Sequence, residues 1–266
     1  MSELLWLPVK RFKDLTSLED LSILGCPKLM STRRDEDIID LLLQPSIKQL
    51  ELADCGNLGK SLPGCLHNLT SLTQLLIRDC PYVVSLPMEA LLRLEQLEIL
   101  IVMHCIELIS IEGLGVLKSL QGLRISGCPK LLVNEGGDEQ GEGLSLVDLE
   151  IDDTALLKLS PLRNTLPSIR NLTISSSPQA VMFDGEEQEL LRSFTDLKLL
   201  EFFSCKNLRS LPTELHALPS LQDLHIQSLP EMGLPTSLKN LQFDCCHPML
   251  TEQLEKHLVK MKISGG

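Results

Sequence analysis

A nine-residue frame, LxxLxLxxC, recurs almost from end to end of this 266-residue chain and constrains its fold more than any other feature. The first copy runs from Leu18 to Cys26. Later copies begin at Ile47, Leu72, Leu97, Leu120, Leu146, Ile169, Leu197, Leu221 and Leu238, and the fourth position is Leu in all ten. The sixth position is aliphatic or Phe, and this alternation of apolar with variable residues is typical of β-strands. The sequence therefore predicts ten copies of one strand-containing unit.

The spacing of the frames matches leucine-rich repeats, whose units of about 20–29 residues each contribute a short strand and a helical or 3₁₀ return. All but the last of the intervals between successive fourth positions are 23 to 29 residues long. One unit cannot bury its apolar face alone, so neighbouring units stack with parallel strands about 4.8 Å apart. We predict an α/β repeat solenoid, a leucine-rich repeat horseshoe with a parallel concave sheet, about ten repeats and an irregular convex side.

We predict a single domain over residues 1–266, with the repeats in 18–250 and a helical cap in 251–266. Prolines 63, 87 and 212 each follow a leucine and are expected to end strand pairing and turn the chain, because proline lacks an N–H donor. Three stretches break the period. We expect a solvated acidic loop at 134–145 and a turn of helix in each of 31–45 and 181–195.

The charge of the chain argues against several classes of partner. Its 24 basic and 36 acidic residues give a net charge of −12, which repels nucleic acid and anionic membrane surfaces. No uninterrupted apolar run approaches the roughly 20 residues needed to cross a bilayer. We therefore expect neither nucleic acid as a partner nor membrane insertion.

Seven of the nine cysteines occupy the ninth position of a frame, so their spacing is architectural. We interpret them as small buried residues, with disulfides or metal binding as the alternative. The cluster Cys245-Cys246-His247 lacks the paired spacing of zinc sites. The segment 56–61 lacks the first glycine of a phosphate-binding loop, because position 54 is Asp. With the histidines scattered, the sequence predicts no metal, no cofactor and no enzyme activity.

Positions 2, 3, 5, 7 and 8 of the frames are expected to line the concave face. Most are polar, and the face is acidic, but adjacent repeats place apolar residues there, and an apolar surface with a polar rim is typical of protein-binding sites. Our candidate protein-binding residues are Leu76, Arg78, Ile99, Ile101, Met103, His104, Arg124, Glu150, Asp152, Leu199 and Phe203. We expect Leu76, Ile101 and Met103 to anchor a ligand while the two arginines orient it. The alternative is that 31–45 or another domain covers the apolar residues.

The extended motif LxxLxLxxCxxLxxLP, in segments such as LTSLTQLLIRDCPYVVSLP and LKLLEFFSCKNLRSLP, resembles the C-terminal region of plant intracellular NB-LRR disease-resistance receptors. The resemblance covers nearly the whole chain. It implies a cytoplasmic protein, with the nucleus as a second compartment, that binds a pathogen effector or a host protein. It also implies an intramolecular contact with a nucleotide-binding domain absent from this chain, so we expect a longer parent protein.

Two other functions remain open. An extracellular receptor ectodomain would normally show a more regular repeat with LxGxIP and paired capping cysteines. A ubiquitin-ligase substrate adaptor would carry an F-box-like helix bundle. A ligase itself would carry a catalytic cysteine outside the ninth frame positions, where only Cys65 and Cys245 lie.

Overall fold

The computed structural model describes residues 14–28, 43–56, 58–131, 144–175, 185–203, 212–226 and 238–243. These residues fall into two compact units. The first lies within Met1–Leu146 and Leu159–Thr165, and the second within Val147–Lys158 and Leu166–Gly266. The single domain over 1–266 stays a prediction.

The first unit is built on parallel strands that pair in chain order. Its strands are β1 (Asp20–Leu24), β2 (Gln49–Ala53), β3 (Gln74–Arg78), β4 (Ser85–Leu86), β5 (Ile99–Met103), β6 (Ser110–Ile111) and β7 (Gly122–Ser126). The main sheet has the order β1-β2-β3-β5-β7, with every pair parallel. The short strands β4 and β6 pair in a separate two-stranded parallel sheet. Each main strand falls in one of the first five frames, as predicted.

The returns of the first unit are short helices. They are α1 (Leu58–Leu66), α2 (Met88–Leu91), a 3₁₀ turn at Leu114–Val116 and α3 (Ser160–Arg163). Pro87 follows β4 as predicted, but the expectation for Pro63 was wrong, because this proline lies inside α1. Helix α1 persists because Leu62 and Leu66 are fully buried, and this burial outweighs the lost backbone hydrogen bond.

The second unit repeats the arrangement. Its strands are β8 (Asp148–Ile151), β9 (Asn171–Ser175), β10 (Leu199–Phe203), β11 (Asp223–Ile226) and β12 (Asn240–Phe243), parallel and paired in chain order. Its returns contain α4 (Gly185–Leu191) and 3₁₀ turns at Thr154–Lys158, Leu166–Ser168 and Thr213–Ala217. Helix α4 confirms the helical turn predicted within 181–195. The loop predicted at 134–145 and the turn predicted in 31–45 lie almost wholly outside the described residues, as does all of the cap at 251–266.

The core consists of aliphatic side chains stacked in register. In the first unit the fourth-position leucines pair across the strands, as do the sixth-position residues; Leu75, Ile77, Leu100 and Val102 are completely buried. Fully burying one such side chain stabilises the fold by about 1.5–3 kcal/mol. Leu241 is an exception at 37% exposed, and its strand β12 is the last strand of the sheet among the residues that the structure describes.

The ninth-position cysteines of the first unit form a ladder beside the strand ends. Cys55, Cys80 and Cys105 are buried, and all six cysteines among the described residues are free thiols. Each ladder thiol donates to the carbonyl two residues earlier, and the Cys55 thiol also reaches the Ile23 carbonyl of the preceding repeat at 3.0 Å. The carbonyls two residues earlier belong to the last residue of each strand, so the thiols have a structural role at the strand ends.

Candidate binding face

The third, fifth and seventh positions of the frames lie on the side of each strand opposite the core, and we call this side the outer face. In the first unit the fifth positions form one row across the sheet. That row consists of Ser22, Glu51, Leu76, Ile101 and Arg124, each aligned with the next. The row passes from polar and acidic residues through aliphatic ones to a basic residue. The outer face therefore changes character from strand to strand.

The centre of this outer face is an apolar group made of Leu76, Ile99, Ile101 and Met103. Leu76 on β3 aligns with Ile101 on β5, and Ile99 and Met103 flank Ile101 on the same side of its strand. Ile99 is 38% exposed and the other three are half-buried. The structure thus brings together the four apolar residues that the sequence singled out. Their role in binding stays a prediction.

A chain of polar contacts runs beside the apolar group. The guanidinium of Arg78 reaches Glu51 Oε1 at 3.4 Å and Asp79 Oδ2 at 3.3 Å. The other carboxylate oxygen of Asp79 lies 3.2 Å from His104 Nδ1. Arg78 and His104, both predicted rim residues, are therefore linked through Asp79, which the prediction omitted. Arg124 is half-buried on β7, beside Ile101 in the row.

The turns after these strands share a left-handed backbone at the eighth frame position. The residues with positive φ there are Gly25, Asp54, Asp79, His104 and Gly127. Backbone N–H groups at this position continue the hydrogen bonding between neighbouring strands. The His104 N–H, for example, donates to the Ser126 carbonyl at 2.8 Å. A Cβ on Gly127 would lie only 2.3 Å from Cδ2 of His104, so glycine fits that position better than any residue with a side chain. Glycine and aspartate recur there in the sequence, and that signal could have revealed the turn.

A shallow cleft of about 100 Å³ opens on the outer face over β1, β2 and β3. Five of its eight lining residues are polar and three are leucines. The residues lining it are Asp20, Leu21, Ser22, Gln49, Leu50, Glu51, Gln74 and Leu76. Leu76 belongs to both the cleft and the apolar group, so the two features are continuous.

The remaining predicted residues lie in the second unit. Leu199 and Phe203 stand at the two ends of β10 on its outer face, with Glu201 between them. Phe203 is 57% exposed and Leu199 is half-buried. Glu150 lies on β8 and Asp152 directly follows that strand; both are half-buried. Glu201 Oε1 lies 3.7 Å from His225 Nδ1, so an ion pair forms there when the histidine is protonated.

The prediction missed a second exposed apolar set in the first unit, on the turns that follow β3 and β5. It consists of Tyr82, Val84, Ile106 and Ile109, each between 40% and 51% exposed. The Ile109 N–H donates to the Val84 carbonyl at 2.8 Å, so the two repeats meet there. These residues fall outside the frame positions assigned to the concave face, which is why the frame did not reveal them.

Among the described residues, no group of three or more His, Cys, Asp or Glu side chains is arranged to hold a metal ion. Within the same part of the chain, no helix has the length and apolar character required to cross a bilayer.

No protein-family model matches the sequence. Solved structures with a limited similarity to it include the following three. The TLR13–ssRNA13 complex gives a TM-score of 0.48 at 17% identity, covering 87% of this chain and 34% of that one. A leucine-rich repeat protein of Leptospira interrogans gives a TM-score of 0.27 at 15% identity, covering 97% of this chain and 92% of that one. The plant peptide hormone receptor RGFR1 in complex with RGF2 gives a TM-score of 0.29 at 16% identity, covering 89% of this chain and 48% of that one.

The present chain therefore spans about a third of the TLR13 chain and about half of the RGFR1 chain. In this chain, the register of the frames and the parallel strands that carry them are those of an α/β leucine-rich repeat solenoid.

Proposed function

We propose that this chain is a protein-recognition module that binds its partner through the outer face of β3 and β5. The observation that carries the proposal is the apolar group of Leu76, Ile99, Ile101 and Met103, which aligns across two adjacent strands away from the core. The core is already filled by the fourth and sixth positions, so these four side chains add little to it. A contiguous apolar surface with charged neighbours is the composition of many protein-binding sites.

The energetics favour a partner that covers the whole apolar group. Apolar surface contributes about 25 cal/mol for each Å² removed from water, so covering one half-exposed aliphatic side chain contributes about 1 kcal/mol. Four neighbouring side chains supply enough for a binding hot spot, provided that the polar rim keeps its hydrogen bonds. The contacts joining Glu51, Arg78, Asp79 and His104 hold that rim in place before a partner arrives.

We further propose that the module belongs to a plant intracellular NB-LRR receptor and binds a pathogen effector or a guarded host protein. The support is the extended motif, in which Cys80 follows β3 and the Leu86-Pro87 pair ends β4. In such a receptor, contacts with the nucleotide-binding domain hold the resting state. A ligand that competes for the same surface shifts the population towards the active state, by as much as its affinities for the two states differ.

Affinity capture from healthy and infected plant tissue tests the proposal. The bait is the full chain, compared with Ile101→Glu, which places a charge in the apolar group. The matched control is Ile106→Glu, an isoleucine outside the outer face that is 51% exposed and therefore more accessible than the half-buried Ile101. We expect captured proteins that the first variant loses and the control retains. Equal recovery with both variants, each folded by circular dichroism, contradicts the proposal.

A further inference from the structure

We infer that the partner presents an extended segment with a Lys or Arg side chain three or four residues from an aliphatic side chain. The inference rests on the proposed function, since it places the aliphatic side chain on the apolar group. The cationic side chain enters the neighbouring cleft over β1, β2 and β3. The cleft and the apolar group share Leu76, so one short segment covers both.

The charge of the cleft selects a cation. Its lining includes two carboxylates, Asp20 and Glu51, and no basic residue. Glu51 already accepts from Ser22 Oγ at 3.2 Å and from Arg78 Nε at 3.4 Å. No side chain among the described residues pairs with the carboxylate of Asp20, which is exposed. A guanidinium or ammonium group in the cleft would therefore meet a carboxylate that no side chain of the described part of the chain pairs with.

The amides of the cleft add to this selectivity. Gln49 and Gln74 align with Asp20 in one row across β1, β2 and β3, and both line the cleft. Their carbonyl oxygens can accept hydrogen bonds from a cation that has five N–H donors, as a guanidinium does. The cleft thus offers acceptors on three adjacent strands.

The register fixes the spacing of the segment. Glu51 is two strands from Ile101, and Asp20 is three strands from Ile99, along aligned rows. Neighbouring strands lie about 4.8 Å apart, so these separations are about 10 and 14 Å. An extended chain rises about 3.3 Å per residue and crosses them in three or four residues. A helical segment, which rises about 1.5 Å per residue, needs seven or more.

The aligned row that contains Ile99 continues onto β7, where it leaves room for the backbone of the partner's segment. Its next residue is Gly122 on β7, in the middle of a strand. A Cβ on Gly122 would meet only Ile99, at an ordinary 3.7 Å, so the fold does not require glycine there. A glycine within a strand often marks a place where another chain approaches closely. The bare backbone beside Ile99 is such a place.

Selection from a displayed library of random twelve-residue peptides tests the inference. The baits are the full chain, Asp20→Asn, Glu51→Gln and the control Glu95→Gln, which removes the same charge from an exposed residue outside the cleft. We expect peptides with a Lys or Arg three or four residues from Ile, Leu or Val. Each cleft variant should lower the affinity for the selected peptide about threefold. The variant that combines Asp20→Asn with Glu51→Gln should lower it about tenfold, whereas the control should leave it unchanged.

Gly122→Ala gives a second, steric test on a folded protein, with Gly64→Ala as the control because nothing lies within 4 Å of a Cβ there. Only the first should weaken the peptide. Two results would overturn the inference and leave the proposed function standing. The peptides could need Ile101 but carry no cation, or they could carry the cation seven residues from their aliphatic residue. Peptides that bind equally to Ile101→Glu would overturn both.

Discussion

The hydroxyl of Thr154 donates a 2.9 Å hydrogen bond to Oε2 of Glu187, a carboxylate that is only 5% exposed. Thr154 occupies the ninth frame position, where the first unit has its ladder cysteines. Glu187 lies on α4, and Lys158 Nζ approaches its other oxygen at 3.5 Å. A polar cluster therefore replaces the thiol–carbonyl contacts in this repeat and joins the return helix to the turn after β8.

Removing this carboxylate should destabilise the fold. We expect Glu187→Ala to lower the free energy of unfolding by about 2–3 kcal/mol, because it removes the buried acceptor of the Thr154 hydroxyl and the carboxylate oxygen 3.5 Å from the Lys158 ammonium. Glu186→Ala is the matched control. Its carboxylate lies 3.6 Å from the same ammonium but is 50% exposed, so the expected loss is below about 0.5 kcal/mol. Urea denaturation measures both, and equal losses would contradict the role given to Glu187.

The strand assignments follow from the frame because it repeats ten times with Leu at the fourth position. A one-residue slip would turn each apolar set towards solvent, so the pattern fixes the register as well. It places Leu76 and Ile101 side by side. The frame could not reveal Glu187, because its burial depends on Thr154 from another repeat. Nor could the frame show that Pro63 lies inside α1, where the burial of the helix outweighs the backbone hydrogen bond lost at proline.

Neighbouring residues on β5 provide a test of which side faces the core. Leu100 is completely buried, whereas Ile101 lies on the outer face. We expect Leu100→Ala to lower the free energy of unfolding by about 2–5 kcal/mol and Ile101→Ala by less than about 1 kcal/mol. Chemical denaturation of the two variants checks the difference. A larger loss for Ile101→Ala would mean that this residue belongs to the core.

Two glycines in left-handed turns separate backbone strain from steric clash. A Cβ on Gly25 has nothing within 4 Å, whereas a Cβ on Gly127 meets His104 Cδ2 at 2.3 Å and its backbone nitrogen at 3.1 Å. We expect Gly25→Ala to lower the free energy of unfolding by about 1 kcal/mol, because alanine is strained in a left-handed backbone conformation. Gly127→Ala should cost at least about 1 kcal/mol more. Thermal unfolding of both variants measures this, and identical losses would refute the close approach of His104.

The buried thiol of Cys65 makes stability depend on alkaline pH. Burial raises the pKa of Cys65 to about 12, against about 8.5 in an unfolded chain. Between these values the unfolded state has lost the proton that the folded state keeps. The free energy of unfolding therefore falls with rising pH, by about 1.4 kcal/mol per pH unit from this group.

Denaturation at pH 8 and at pH 10.5 measures that effect, with Cys65→Ala as the comparison. The variant lacks the titrating thiol, so its stability should fall less over this range than that of the unsubstituted chain. The stability deficit of the variant at pH 8 should therefore shrink at pH 10.5. A deficit that stays constant with pH would show that Cys65 is not held in its neutral form by burial.

Site-specific photocrosslinking tests whether the apolar group on β3 and β5 contacts a protein partner. A photoreactive amino acid is placed at position 101 and, in a second protein, at position 106 on the turn that follows β5, where Ile106 is 51% exposed and so more accessible than Ile101. After irradiation in plant extract, we predict a discrete crosslinked protein from position 101 and none from position 106. Crosslinking to the same protein from position 106 alone, or from neither position, would contradict that contact.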